Sequence, residues 1–407
     1  MPYVWIVGYR KALAEALSAM DIPYSVWSQK PLKAAPPGVD KVFVSELPRH
    51  RDKIITQLEA MKVRRKPTHV IAGTEEAVFP SAIIRRFFGA RQSAQSILMR
   101  CSDKVAMKQY LRKYDVPMTK FVVREPNANL TAGQLEKNLG LPVVLKSRIG
   151  SGGKNLVISR TRQQIDELMD GYQLFERFVD APEGSIESFV HEGKILFTNV
   201  TDYHTKKHIN VVPAGYAKET LEKIQALNEK VISALKIKWG MTHLEFYLSK
   251  DHILFGEIAL RPPGGYIMDL LKLAYKFDPW HAYVQTELGS DMVLPAKNSC
   301  IACSVVLHPG EGDIVQVAKP TRETCPTLKR AKIKARVGDR LKKRQSVGQD
   351  VGYLFLSSEK RADIMKDLRF LEKNPVFGIA TIASEKRLPK LPGKPILPKW
   401  RHKPQLT

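Results

Sequence analysis

Cysteine is scarce, with four residues in 407. That number cannot build a disulfide framework, and it fits a reducing compartment. Cys300 and Cys303 have C-x-x-C spacing, but the second pair that a four-cysteine zinc site needs is missing. Cys101 and Cys325 stand alone, and no closely spaced His pair completes a site. The C-x-x-C pair reads instead as part of a strand from Ser299 to Leu307. Long apolar runs are missing too: no segment approaches the roughly 18 residues of a membrane span, which excludes a transmembrane protein. The start, Met1 to Arg10, sets a short apolar stretch before its first basic residue. That is the reverse of a secretory leader, so a cytoplasmic location is expected. Helix-turn-helix, zinc-finger and RNP-type aromatic signatures are also lacking.

What is present is an apolar, basic chain. At 43% hydrophobic and 26% charged residues it is too apolar to be disordered. At roughly 100 to 200 residues per domain, its length allows about two to four domains. The formal excess of 24 positive charges is unevenly spread. Residues 101–300 hold 26 basic and 23 acidic side chains, an excess of three, whereas 327–345 hold nine basic residues against Asp339 alone. The last stretch, 385–407, holds seven against Glu385 alone. Such patches could bind nucleic acid by counterion release, or form a solvated face and a flexible tail. Without a recognition signature the second reading is favoured.

The first hundred residues alternate short β-branched runs (Tyr3 to Val7, Tyr24 to Trp27, Lys41 to Val44, His69 to Ala72) with helix-length patterns. This order implies a parallel sheet with crossover helices. The turn after the first run, Gly8-Tyr9-Arg10-Lys11-Ala12, is not G-x-G-x-x-G, so a Rossmann-like lobe without a bound dinucleotide is expected. A helix should start at Ser102, its N-cap candidate, and end before Pro117. Strands follow near Lys120 to Val123, Pro142 to Lys146, Asn155 to Ser159, Gln173 to Phe178, Ser185 to His191, Lys194 to Thr201, Met241 to Leu248 and His252 to Ala259. Helices are expected at Ala132 to Asn138 and Lys218 to Lys236. The section Cys300 to Phe355 reads as short strands between Gly turns. From Leu388 to Pro404 five prolines alternate with basic residues, a composition for an extended or disordered tail.

Two constellations suggest chemistry. The first is the turn Lys146-Ser147-Arg148-Ile149-Gly150-Ser151-Gly152-Gly153-Lys154. Glycines let backbone N–H groups close over phosphate oxygens, and the flanking cations can neutralise them. A hairpin turn explains the glycines equally well. The second is a hairpin that turns near Ser249 to Asp251 and sets Glu245 nearly opposite Glu257 on one face. Opposed carboxylates are destabilising unless a cation bridges them, and Mg²⁺ is held by one or two carboxylates together with substrate phosphates. Arg261, four residues beyond Glu257, could neutralise a developing anion there. The alternative is a surface pair in an apolar hairpin.

In order, Asp103-Lys104-x-x-Met107, Pro142-Val-Val-Leu-Lys146 with its glycine turn, Phe175-Glu176-Arg177-Phe178-Val179 followed by Glu187, Glu245, and Glu257-x-x-x-Arg261 resemble the ATP-grasp superfamily. The resemblance spans about residues 1 to 380. It implies an α/β (α+β ATP-grasp) fold divided into an N-terminal Rossmann-like lobe (1–98), a central two-subdomain ATP-grasp region (99–292) and a small β-rich C-terminal domain (293–380). The basic proline-rich tail (381–407) follows. It also implies roles. Lys104 and Lys146 would hold the ATP phosphates under a flap of Gly150, Ser151, Gly152 and Gly153. Glu176, Arg177 and Val179 would meet the adenine, and Glu187 would reach the ribose or its surroundings. Glu245 and Glu257 would bind one or two Mg²⁺, with Mn²⁺ a substitute, and Arg261 and Lys146 would serve catalysis. Where the family often has Asn two residues after the second carboxylate, this chain has Ala259. That departure is similar to the L-amino-acid ligase branch and leaves the metal count open.

The implied reaction joins a small carboxylate, such as an amino acid, to an amine. The carboxylate attacks the γ-phosphoryl of Mg·ATP, and the amine then displaces phosphate from the acyl phosphate. Positioning and charge neutralisation would supply most of the catalysis. Two rival functions are a purine-biosynthesis or carboxylase-type enzyme and a basic protein that binds nucleic acid or an acidic partner through a non-catalytic ATP fold. A homodimer is a family-level expectation. Tyr203, His204, Lys206, Lys207 and His208 could face the substrate or form an exposed loop. Gly264 and Gly265 suggest a tight turn near the acyl phosphate, and Tyr266, Trp280 and His281 could line a pocket or belong to the core.

Overall fold

The structure, a computed structural model, describes residues 1–380 except 49, 92–94, 126–127, 151, 153–155, 207, 251 and 345–348. Of the residues singled out above, Ser151, Gly153, Lys154, Asn155, Lys207, Asp251 and the tail 381–407 therefore lie outside the described residues.

The first lobe is a four-stranded parallel sheet of β1 (Val4–Val7), β2 (Tyr24–Ser28), β3 (Val39–Val44) and β4 (His69–Ala72), in the order β3-β2-β1-β4. Strand β1 is buried along its whole length, which is why its sequence, Val-Trp-Ile-Val, is continuously apolar rather than alternating. Helices α1 (Lys11–Ala19), α2 (Arg51–Ala60) and α3 (Val78–Phe88) cover the sheet. Helix α1 buries Leu13, Ala14, Ala16 and Leu17, the stripe that a 3.6-residue period places on one side. Helix α3 ends on Gly89 in the left-handed region, φ +67°.

After α4 (Gln95–Arg100), α5 (Lys104–Arg112) begins one residue later than its sequence suggests. The cap is Asp103 rather than Ser102, because the Asp103 carboxylate accepts the backbone N–H groups of Val105 and Ala106 at 2.9 and 3.2 Å. Next come β5 (Phe121–Val123), α6 (Ala132–Leu139), β6 (Val143–Lys146), β7 (Leu156–Ser159), α7 (Arg162–Leu168) and β8 (Leu174–Arg177). The four strands form an antiparallel sheet ordered β5-β8-β6-β7, with α6 held at its start by a capping box between Thr131 and Gln134.

The remainder is organised by an eight-stranded sheet. Strands β9 (Glu183–His191), β10 (Lys194–Thr205) and β11 (Ile209–Val212) precede α8 (Lys218–Leu235). Strands β12 (Gly240–Leu248) and β13 (Ile253–Leu260) precede α9 (Ile267–Tyr275) and α10 (Pro279–Leu288). The chain closes with β14 (Ile301–Leu307), β15 (Gly312–Val317), β16 (Leu328–Ile333), β17 (Arg340–Leu341), β18 (Gly352–Ser358), α11 (Arg361–Lys373) and β19 (Phe377–Ala380). The sheet order is β13-β12-β9-β10-β11-β14-β18-β16. The C-terminal strands β14, β18 and β16 thus extend the central sheet instead of forming a sheet of their own. Only β17-β15-β19 stands apart. Cys300 and Cys303 are buried free thiols beside or within β14. Helix α8 buries Ile224, Leu227, Val231, Ile232 and Leu235 against β9, β12 and β13.

Candidate active site

The antiparallel β6–β8 pairing sets Lys146 beside Glu176, and its ammonium lies 2.8 Å from Glu176 Oε2. A second lysine, Lys108 of α5, reaches Glu176 Oε1 at 3.0 Å. All three side chains are buried. Burial opposes the charge on Glu176, but the two ammonium groups outweigh it and hold its carboxyl at about 2. Lys146 is raised, because Glu176, with Tyr247 and Glu257, overcomes the cost of burial. Lys108 moves the other way: burial dominates and lowers its pKa. Lys108 stands four residues from Lys104, one helical turn on the same face of α5. That spacing was available in the sequence and was not used.

Lys104 opens α5. Its ammonium donates to Gly150 O at 2.7 Å and lies 3.2 Å from Glu257 Oε2, while its backbone N–H donates to Arg148 O at 2.8 Å. Arg148 donates through Nε and Nη2 to Asp103 Oδ2 at 3.0 and 2.6 Å. The start of the glycine turn is therefore tied to the cap of α5. Gly152, at φ +66°, occupies a backbone region that side chains disfavour. Arg177 is exposed and donates to Leu139 O at 3.0 Å, and Val179 is half-buried just beyond β8.

The β12–β13 hairpin pairs Glu245 with Glu257. Beyond them the register shifts by one residue, and Gly256 is the extra residue of the bulge. A Cβ at Gly256 would stand 2.9 Å from Glu245 O, so the bulge that aims Glu257 requires glycine. Two positions along, on the same face, Ala259 pairs with His243, which in turn pairs with Glu187 on β9. His243 Nδ1 lies 2.9 Å from Glu187 Oε1, and its Nε2 lies 3.5 Å from Glu245 Oε1. Burial disfavours the imidazolium, but these two carboxylates outweigh it and lift His243 to about 9. The same contacts, with Lys104 and Lys146 beyond, hold Glu245 at about 2 against its own desolvation.

Glu187 is fully buried, and it accepts from Ser185 Oγ (2.6 Å), Asn199 Nδ2 (2.9 Å) and Thr201 Oγ1 (2.7 Å) as well as facing His243. Both of its oxygens are engaged by these groups, which ties β9, β10 and β12 together under the site. Glu183, two alternations earlier on β9, is less enclosed and pairs with Lys206. It also lies in the field of Lys146 and Glu245. Sequence reading passed over Lys108, His243 and Glu183. The signal for His243 was its place two residues before Glu245, which puts both on one face of a strand.

Arg261, just past β13, is paired with Glu75 from the turn after β4 and donates through Nη1 to Pro262 O at 2.8 Å. Beyond it Tyr266 takes φ +63°, a left-handed conformation that costs a non-glycine residue roughly 1–2 kcal/mol. The turn is pinned because Gly265 O accepts from Asn210 Nδ2 at 2.8 Å and from Ser304 Oγ at 3.2 Å. Of the polar cluster, Tyr203 OH stands 3.4 Å from His243 Nε2 and 3.5 Å from Glu245 Oε1, inside the site. His208 turns away towards Val306 O and Arg344.

The donor set on β12 and β13, two adjacent carboxylates, is hard oxygen chemistry that suits Mg²⁺, and Glu257 already accepts a cation in the form of Lys104. Among the described residues no group of three or more His, Cys, Asp or Glu forms a metal cage. Any ion held here would need further oxygens from a bound phosphate. No helix among the described residues is long and apolar enough to cross a membrane.

Residues 109–269 match the family described as ATP-grasp domain. The chain is 21% identical over 273 residues to an L-arginine-specific L-amino acid ligase of Bacillus subtilis, covering 62% of this chain and 63% of that protein. It is 25% identical over 191 residues to a formate-dependent phosphoribosylglycinamide formyltransferase of Nitratidesulfovibrio vulgaris, covering 44% and 48%. The chain thus spans less than two thirds of the length of these relatives. Among solved structures, an L-amino acid ligase from Bacillus licheniformis superposes with a TM-score of 0.77 at 17% identity, over 93% of this chain and 98% of that one. An N5-carboxyaminoimidazole ribonucleotide synthetase from Thermotoga maritima superposes with a TM-score of 0.71 at 17% identity, over 94% and 100%. These likenesses establish the fold.

Proposed function

We propose that this chain, whose residues 109–269 match the ATP-grasp domain, is an ATP-dependent ligase that joins a small carboxylate, such as an amino acid, to an amine through an acyl phosphate. The observation that supports this most is the pairing of Glu245 with Glu257 on one sheet face, under Lys104 and beside Lys146. It combines a place for a divalent cation with cations for the phosphates of one nucleotide.

In this reading the Lys108–Glu176–Lys146 cluster positions the nucleotide, and Lys104 and Lys146 neutralise its phosphates. Glu245 and Glu257 would hold Mg²⁺, or Mn²⁺ in its place. When bound, the ion supplies charge neutralisation at the phosphoryl oxygens. The substrate carboxylate is ionised at neutral pH and attacks the γ-phosphorus without a general base. The bond from phosphorus to the bridging oxygen breaks, and ADP leaves. The amine, as its free base, then attacks the acyl carbon, phosphate departs and one proton is released. Arg261 would exchange Glu75 for the reacting phosphoryl group, a step that costs little because a carboxylate partner is replaced by a more highly charged one.

The experiment is a screen for ADP release over pairs of amino acids and small carboxylates with Mg·ATP. A pair that stimulates turnover in the wild-type chain, and not in Glu257→Gln, supports the reading. If no pair stimulates turnover and Glu257→Gln leaves the background unchanged, the reading fails.

A further inference from the structure

The first sheet runs β3-β2-β1-β4, so the chain leaves β1 towards β2 on one side and returns to the other side for β4. In open parallel sheets such a reversal opens a crevice at the carboxyl ends of the two strands, where ligands bind. Its rims here are the turns Gly8 to Arg10 after β1 and Gly73 to Glu75 after β4. They pack so closely that a Cβ on Gly73 would collide with Gly8 O and stand 3.2 Å from Arg10 Cβ. Each turn sends a charged side chain out of the crevice. Glu75 goes to Arg261. Arg10 forms no salt bridge with a carboxylate among the described residues, although it lies in the field of Arg261 and Asp269.

The Arg10 guanidinium carbon lies 5.3 Å from the centre of the Trp280 ring, within cation–π range. Its electrostatic surroundings come from three elements: Asp269 and Tyr266 at the start of α9, and Arg261 after β13. Asp269 in turn answers to Arg330 of β16 as well as to Arg10. Both Arg10 and Asp269 are exposed. Lys272, paired with Asp278, also acts on Asp269, so Arg10, Arg261, Arg330 and Lys272 face Glu75, Asp269 and Asp278, four cations against three anions, which leaves one positive charge in excess. That excess suits a single carboxylate and falls short of what a phosphate dianion calls for.

We propose that Arg10, beside Trp280 at the β1–β4 crevice, is the recognition residue for the non-reacting carboxylate of an amino-acid substrate. A planar guanidinium can offer a carboxylate two parallel N–H donors. The assignment rests on the ligase reading, because Arg10 lies in the field of Arg261, which that reading places beside the reacting phosphoryl group. It also separates substrate classes, since an amine that carries a phosphate ester would not be favoured here.

The test uses the full chain saturated with Mg·AMP-PNP and titrated calorimetrically with the proteinogenic amino acids and, separately, with inorganic phosphate. At least one amino acid binds, Arg10→Gln weakens it by about tenfold or more, ~1.4 kcal/mol, and Arg10→Lys weakens it less. Affinity for Mg·AMP-PNP stays the same. In turnover, KM for that amino acid rises while kcat is retained. The proposal is overturned if Arg10→Gln leaves amino-acid affinity unchanged, if no amino acid binds, or if phosphate binds through Arg10 more tightly than any amino acid. An amino acid that binds through Arg10 without stimulating ADP release sinks the ligase reading and leaves this site standing.

Discussion

Glu176 is the most exacting point of the account, because one buried carboxylate faces two buried ammonium groups at 3.0 and 2.8 Å. At an effective dielectric constant near 20, each contact contributes about 5–6 kcal/mol of Coulomb attraction. Desolvation of each ion costs several kcal/mol in return. The charge count then orders the variants. Glu176→Gln leaves Lys108 and Lys146 buried together with no anion, and it should cost about 3–5 kcal/mol. Lys108→Met leaves Lys146 and Glu176 as a matched pair and removes one desolvated ammonium, so its cost should be about 0–2 kcal/mol. The double variant keeps one buried ammonium and should be more stable than Glu176→Gln alone, a coupling of roughly 1–3 kcal/mol. Urea unfolding at neutral pH, followed by tryptophan fluorescence and far-UV circular dichroism, gives the midpoints. Equal costs for Glu176→Gln and Lys108→Met, or a double variant less stable than either, would refute the reasoning. The pH dependence carries the same sign. The folded pKa of Glu176 is depressed to about 2 from 4.5, so its contribution is complete above about pH 4.5 and is lost as pH falls towards 2.

His243 titrates the other way. Its folded pKa of about 9 exceeds the ordinary 6.5, so the stability it adds is complete below pH 6.5 and lost as pH rises through 9. The wild-type advantage in Tm over His243→Gln should therefore shrink between pH 6.5 and 10, and a constant gap would contradict the assignment. Gly256→Ala should displace Glu257, since the added Cβ meets Glu245 O at 2.9 Å. ADP release should fall by about tenfold or more for roughly 1–2 kcal/mol of stability, with kcat and urea midpoints as the readouts. Gly8→Ala should destabilise the first lobe by about 1–3 kcal/mol, because Gly8 has φ +75° and its Cβ would stand 2.5 Å from Thr74 Oγ1. Its effect on the urea midpoint should exceed that of an exposed alanine substitution. Chelation of divalent ions should abolish ADP release, with Mg²⁺ or Mn²⁺ restoring it.

Much of the fold could be read from local pattern. The alternating βα order of the first hundred residues becomes the parallel sheet, and the turn near Ser249 makes Glu245 face Glu257. The bulge at Gly256 gives the hairpin two registers, one on each side of the extra residue, which the pattern alone does not show. What pattern could not supply was long-range pairing. Nothing local to Pro142–Lys146 says that α5 will bring Lys108 onto Glu176, or that Glu75 will meet Arg261, 186 positions away. The fate of Glu187 was hidden for the same reason. A carboxylate on a strand face reads as exposed until the neighbouring strands deliver Asn199, Thr201 and His243 to it. The C-terminal strands read as a separate domain because strand spacing carries no information on which sheet edge they join.

The central claim is formation of an acyl phosphate. It is tested most directly with a substrate whose carboxylate oxygens are ¹⁸O-labelled, taken through a complete turnover with Mg·ATP and the amine. The account predicts one ¹⁸O atom in each inorganic phosphate released, with ADP formed in equal amount and neither formed by Glu257→Gln. Phosphate without label, or ADP release that does not depend on the carboxylate, would contradict it.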